Sequence, residues 1–131
     1  MLRVGYKKPK VAVIGAVEKV NEKMQATIDA AVLSKMAQRK QILNCIIDGP
    51  LAYDNAMSKE SAEHKGIVSD VAGDADLLLM PNIEAGNVLY KSFAHTGGKL
   101  AAVILGASAP IVLTSRSDSE ESKLNSIVLA A

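Results

Sequence analysis

The sequence predicts an α/β fold, a mostly parallel sheet with helices on both faces. Two observations predict it. Apolar runs short enough for strands alternate along the chain with longer segments of helical period, and those runs carry little internal polar alternation. Strands buried on both faces read this way, and helices must then cover the sheet on each side.

The elements follow in order. Val11 to Ile14 reads as a strand ended by Gly15. Met24, Ile28, Ala31, Val32 and Met36 recur at the spacing of an amphipathic helix. Ile42 to Ile47 is a second run, which Asp48-Gly49-Pro50 should stop because proline cannot donate to a ladder. Ser58 is placed to cap a short helix ending near Gly66. Leu77 to Met80 is a third strand candidate, ended by Pro81. Ala85, Val88, Leu89 and Phe93 give a helical face with Gly97-Gly98 as its stop. Leu100 to Leu105 and Ile111 to Leu113 read as two more strands. Ser117-x-x-Glu120 or Asp118-x-x-Glu121 then opens a final helix in the manner of a capping box.

Composition bounds the function. The chain has 131 residues, 49% of them hydrophobic, enough for one sizeable core. Fifteen basic against fourteen acidic side chains leave a formal charge of +1, which gives no footprint for nucleic acid and no basic face for a lipid surface. Four aromatic residues and no Trp argue against a stacking platform for single strands. One cysteine, Cys45, excludes an internal disulfide, and its place in an apolar run reads as a small buried hydrophobe. The basic start (Arg3, Lys7, Lys8, Lys10) before Val11 to Val17 is too short and too quickly closed by Glu18 and Lys19 for a signal peptide. Lys7 to Lys10 reads instead as a solvated lead-in to the first strand. The longest apolar stretch, Leu100 to Leu113, is broken by Gly106, Ser108 and Pro110. A cytoplasmic protein, not a membrane protein, is expected.

Ligands of open parallel sheets bind beyond the carboxyl ends of the strands. Three polar clusters fall there: Asp48-Gly49-Pro50, the segment from Pro81 to Asn87, and Thr114-Ser115-Arg116. Any one of them also reads as an ordinary turn. Arg116 is the most informative, one of three arginines beside twelve lysines, at a strand-to-helix turn with two hydroxyls. A guanidinium fork at a helix start suits phosphate, although a solvated helix end would look the same. His64 and His95 lack ligand partners at helical spacing, so no metal site is expected. Dinucleotide, Walker-type and nucleophile-elbow signatures are absent.

Longer motifs carry a resemblance. Ile47-Asp-Gly-Pro-Leu-Ala52, Asp54-Asn-Ala-Met-Ser58, Val71-Ala-Gly-Asp-Ala-Asp76, Ile83-Glu-Ala-Gly-Asn87 and Ile111 to Ser119 stand in one order. Over about Tyr6 to Leu129 the chain resembles the phosphate acetyl/butyryltransferase (phosphotransacylase) family, nearer its phosphate butyryltransferase branch. The resemblance implies part of an isocitrate/isopropylmalate dehydrogenase-like fold of two α/β domains. It implies that this chain is the C-terminal half of a truncated acyltransferase. About 1–110 would then be the second domain, and about 111–131 a strand and helix returning to the absent N-terminal domain.

The implied reaction converts acyl-CoA and inorganic phosphate to acyl phosphate and free CoA, with a butyryl or other short or branched acyl chain. No tightly bound cofactor is implied, coenzyme A being substrate or product. On the family pattern Ser115 hydrogen-bonds near the thiol or oxyanion, and Arg116 holds phosphate with Thr114 beside it. Gly86 and Asn87 line the cleft, where a residue without Cβ allows close approach. The base stays open among Asp118, Glu120 and Glu121, with Asp118 preferred. In the acetyltransferase branch the proposed base lies seven residues past the position of Ser115, where this chain has Ser122. The family's further phosphate-binding arginines match neither Arg3 nor Arg39. A homodimer or larger homo-oligomer is expected. The alternative reading is an inactive folded fragment that binds CoA or dimerises, and a decarboxylating dehydrogenase is a third, for which no metal-binding aspartate set is visible.

Overall fold

The computed structural model describes Met1 and residues 4–131; Arg3, part of the basic lead-in, lies outside the described residues. The chain divides into two compact units, Met1–Ile83 and Glu84–Ala131.

The first unit is built on β1 (Lys10–Ile14), the middle strand of a three-stranded sheet ordered β2-β1-β3. Its flanking strands are β2 (Ile46–Leu51) and β3 (Leu77–Leu79), and both pair with it in parallel. Between β1 and β2 runs α1 (Gln25–Gln38); α2 (Tyr53–Met57) and α3 (Lys59–His64) follow β2. Ala12, Val13 and Ile14 are buried. Ala12 and Ile14 join Leu51, Ala56 and Val71 in the core, with Ile67, Leu78 and Met80 packed against it. Val13 points the opposite way, as alternation requires. A Cβ on Gly49 would stand 2.9 Å from Val13 Cβ and 3.2 Å from Ala30 Cβ, so α1 lies on that second face.

The register explains a departure from expectation. Asp48-Gly49-Pro50 does not stop β2 but lies within it. Ala12 pairs with Asp48 and Ile14 with Leu51, so three residue steps on β2 oppose two on β1. Such a bulge gives proline a place without a ladder donor, and Gly49 lets the bulged backbone close against Val13. Gly15 N–H, bonded to Leu51 O at 2.9 Å, resumes the pairing. The residues from Ile42 to Cys45 form the approach to β2, not strand, with Asn44 at φ 62°. Cys45 is consequently half-exposed rather than a buried hydrophobe.

The buried line of α1 is Thr27 and Ala30, while Val32 of the expected stripe is exposed. Small residues win there because the bulged strand approaches closely. Ser58 caps α3 as expected, its Oγ accepting from Ser61 N–H. Lys10 is not merely solvated: its ammonium meets Asp74 at 2.6 Å, and its backbone N–H donates to Asp76 at 2.8 Å. Together these tie the loop before β3 to the start of β1.

The second unit carries α4 (Ile83–His95), whose first residue belongs to the first unit, and α5 (Glu120–Ala130). Gly97 at φ 85° and Gly98 N–H bonded to Phe93 O end α4 as expected, in a Schellman arrangement. Neither expected strand forms here. Leu100 to Leu105 and Ile111 to Leu113 meet in one antiparallel bridge, Ile104 to Ile111. Apolar content specifies burial but not a hydrogen-bonding neighbour. With Gly106 to Pro110 between them these runs fold back on each other, and Leu105 and Leu113 remain exposed. The expected apolar face of α4 is also open, for none of its residues is buried. At the start of α5 the cap is Ser119, with Ser122 N–H on its Oγ, in place of Ser117 or Asp118. Among the described residues no helix is long and apolar enough to cross a membrane.

Candidate functional site

The site lies wholly in the second unit, where the segment before α5 meets the middle of α4. Thr114-Ser115-Arg116 cannot be helical, because the cap of α5 sits further on at Ser119. The chain closes instead into a turn. Asp118 N–H donates to Ser115 O at 3.1 Å, and Ser115 N–H donates to Asp118 Oδ2 at 2.7 Å. The turn is thus held from both of its ends by one aspartate.

Two side chains of α4 complete it. Tyr90 OH donates to the same Asp118 Oδ2 at 2.7 Å. Lys91 Nζ donates to Ser115 Oγ at 2.8 Å and to Ser117 Oγ at 3.3 Å, and those two hydroxyls stand 3.0 Å apart. The ammonium also lies 5.6 Å from the centre of the Tyr90 ring, within cation–π range.

Electrostatics follow from these contacts. The Tyr90 hydroxyl, with the Ser115 amide and the charges of Lys91 and Lys123, holds the Asp118 carboxyl below its ordinary value of 3.8. The reverse effect raises Tyr90 above 10.0, through its bond to Asp118 and partial burial. Asp118 is therefore ionised at neutral pH. The stability it contributes is present above the unfolded carboxyl value and is lost as pH falls through the lower folded one. Tyr90→Phe should move the Asp118 titration upward, toward the ordinary value, as read by carboxyl carbon shifts against pH. An unmoved titration would remove Tyr90 as the main cause.

Arg116 is exposed and makes no ion pair or hydrogen bond among the described residues, so its guanidinium is available to an anion. Gly86 and Asn87 lie in the first turns of α4. Each stands four residues before Tyr90 or Lys91, and so on the same helix face. Of the alternative bases, Glu121 pairs with Lys99 at 2.9 Å, and Glu120 is exposed in the first turn of α5. Asp48-Gly49-Pro50, the remaining polar cluster, belongs to β2 in the first unit. There a groove of about 510 Å³ is lined by Ser34, Cys45, Asp48, Ser69 and Asp70, with none of the expected site residues. Among the described residues no group of three or more His, Cys, Asp or Glu could hold a metal ion.

Tyr90 and Lys91 are the site residues that sequence reasoning missed. The available signal was their spacing, one helical turn after Gly86-Asn87.

The phosphate acetyl/butaryl transferase family model matches residues 1–131. The phosphate butyryltransferase of Clostridium acetobutylicum is 57% identical over 129 residues, covering 98% of this chain and 43% of that enzyme. The phosphate acetyltransferase of Thermotoga maritima is likewise 57% identical over 129 residues, 44% of its length. Among solved structures, a branched-chain phosphotransacylase from Enterococcus faecalis superposes with a TM-score of 0.86 at 39% identity. That match covers 98% of this chain and 46% of the other. The chain thus spans less than half the length of these relatives.

Proposed function

The chain belongs to the phosphate acetyl/butaryl transferase family, and from that premise we propose that it carries the Ser115-Arg116 half of a phosphate acyltransferase site. The reaction is acyl-CoA plus inorganic phosphate giving acyl phosphate plus CoA, with butyryl or another short or branched acyl group. The observation that carries the reading is the turn itself: a serine hydroxyl fixed by a lysine, beside an exposed arginine that has no carboxylate partner among the described residues.

In the thiolysis direction the CoA thiol loses its proton and attacks the acyl carbonyl, and the tetrahedral oxyanion then collapses to expel phosphate. The Ser115 hydroxyl donates to the oxyanion or to a phosphoryl oxygen. Arg116 grips phosphate through its planar fork, with Thr114 alongside and Gly86 and Asn87 as the α4 edge of the pocket. Asp118 is the preferred proton acceptor. Its Oδ2 already accepts two hydrogen bonds, which keep it ionised and leave it a weak base. Its larger contribution is holding the Ser115 turn. No resident metal or cofactor is needed, CoA being substrate or product.

The wider reading keeps the isocitrate/isopropylmalate dehydrogenase-like plan of two α/β domains. Residues to about 110 form one domain, and 111–131 return to the other. The working protein is a cytoplasmic homodimer or larger assembly. The second reading is an inactive module that binds CoA or dimerises.

A chimera tests the reading. The chain is fused behind the portion of the Clostridium acetobutylicum enzyme that it leaves unmatched, and free thiol is measured from butyryl-CoA and phosphate. Phosphate-dependent thiol release is expected. Arg116→Lys, which offers a point charge and no fork, should raise the phosphate KM by about tenfold. An unchanged phosphate dependence would take Arg116 out of the site, and an inactive chimera would favour the module.

A further inference from the structure

We infer that Lys91 is a positioning residue that makes Ser115 an obligatory hydrogen-bond donor toward the substrate anion. The inference deepens the proposed function and rests on its placing of an anion at the Ser115-Arg116 turn.

The argument is an accounting of donors and acceptors. A serine hydroxyl has one proton to give and two lone pairs to receive with, whereas an ammonium can only give. Lys91 Nζ at 2.8 Å therefore occupies one lone pair of Ser115 Oγ. The Ser117 backbone N–H, at 3.4 Å, meets the second lone pair, and the Ser117 hydroxyl, 3.0 Å away, can either donate to Ser115 or accept from it. With both lone pairs engaged by Lys91 and the Ser117 N–H, the Ser115 hydroxyl can only donate, to Ser117 Oγ in the free chain or to an anion that takes its place. Ser117 is exposed and accepts from the same ammonium at 3.3 Å, so its hydroxyl can turn to solvent when an anion takes the Ser115 proton. The Ser115 backbone cannot rotate away from this arrangement, because Asp118 holds its N–H and its carbonyl.

A bland reading makes Lys91 a surface lysine resting on two hydroxyls. Two features oppose it. Among the described residues its ammonium has no carboxylate in hydrogen-bond contact, so the hydroxyls are its chosen partners. Its ring contact with Tyr90 ties it to the residue that fixes Asp118, so one turn of α4 sets both the serine's backbone and its hydroxyl.

The test uses the full 131-residue chain and inorganic phosphate, with binding followed by the amide shifts of Ser115, Arg116 and Ser117. Ser115→Ala and Lys91→Met should each weaken phosphate by about tenfold, the loss expected for one charge-assisted hydrogen bond. The double variant should bind no more weakly than Ser115→Ala alone, because Lys91 acts through the hydroxyl. Lys91→Arg, which still donates, should restore most of the affinity. The amide spectrum reports whether each variant is folded, and Lys91→Gln takes the place of Lys91→Met if the latter is not. A further tenfold loss from Lys91→Met in the Ser115→Ala background would overturn the inference, showing direct contact with the anion. So would an affinity that ignores Lys91 altogether. A wild-type chain whose shifts do not respond to phosphate would instead strike at the anion site, and the inference would fall with it.

Discussion

The 131-residue chain by itself should release no measurable thiol from butyryl-CoA and phosphate, while its chimera with the unmatched portion of a relative does. The reason is positional. Holding acyl carbonyl, thiol and phosphate together in reactive geometry is worth roughly 7–11 kcal/mol of barrier, or about 10⁵–10⁸ in rate. The groups this chain offers are Ser115, Arg116, Lys91 and Asp118, on one turn and one helix face. Arg116 stands in solvent, so a phosphate bound there keeps much of its hydration, and water competes with the thiol for the acyl group. The four residues can hold and polarise one end of a substrate. They cannot enclose it. The check is a thiol-release assay on the chain and the chimera side by side, at equal concentration. Turnover of about 1–10³ per second by the chain alone, the ordinary enzymatic range, would show that it assembles a full site.

Legibility followed the kind of constraint each element carries. Helix ends set by local chemistry were readable: Ser58 caps α3 through its own hydroxyl, and Gly97 closes α4 at positive φ, each needing only neighbours in sequence. Strands flanked by partners were readable too, β1 and β3 lying where their apolar runs place them. The end of β2 was not, because a bulge depends on the strand opposite, and nothing in Asp48-Gly49-Pro50 announces Val13. The runs Leu100 to Leu105 and Ile111 to Leu113 fail for the same reason, since hydrophobicity without a paired edge yields one bridge. At the candidate site, Ser115, Arg116 and Asp118 were legible as a motif, and the structure brings Ser115 and Asp118 into contact. Lys91 was invisible in sequence. A lysine on a helix reads as a solvated face until the fold sets a serine 24 positions away against it.

Gly49→Ala should be strongly destabilising to the sheet of the first unit. The added Cβ would stand 2.7 Å from Val13 O and 2.9 Å from Val13 Cβ, closer than non-bonded atoms approach. The nearest obstacle is backbone, so no rotamer change can relieve it. Val13 belongs to the central strand and is 4% exposed, with β3 hydrogen-bonded on its far side at Leu79. Moving Val13 away from Gly49 therefore strains a second strand pair. Moving β2 instead drives the new methyl toward Ala30 Cβ, at 3.2 Å, and pushes α1 outward. Both relaxations disturb buried packing, for which overfilling costs about 1–3 kcal/mol and here should reach the upper end. Gly15→Ala is the control. It sits one residue past β1, where a Cβ meets its nearest neighbours at 3.4 Å or beyond, ordinary contact distance. Its expected cost is below about 1 kcal/mol, within the range of a tolerated small change. Urea unfolding of the two variants beside the wild-type chain gives the comparison. Equal midpoints for Gly49→Ala and Gly15→Ala would mean that β2 does not pass Val13 as closely as its bulged register requires.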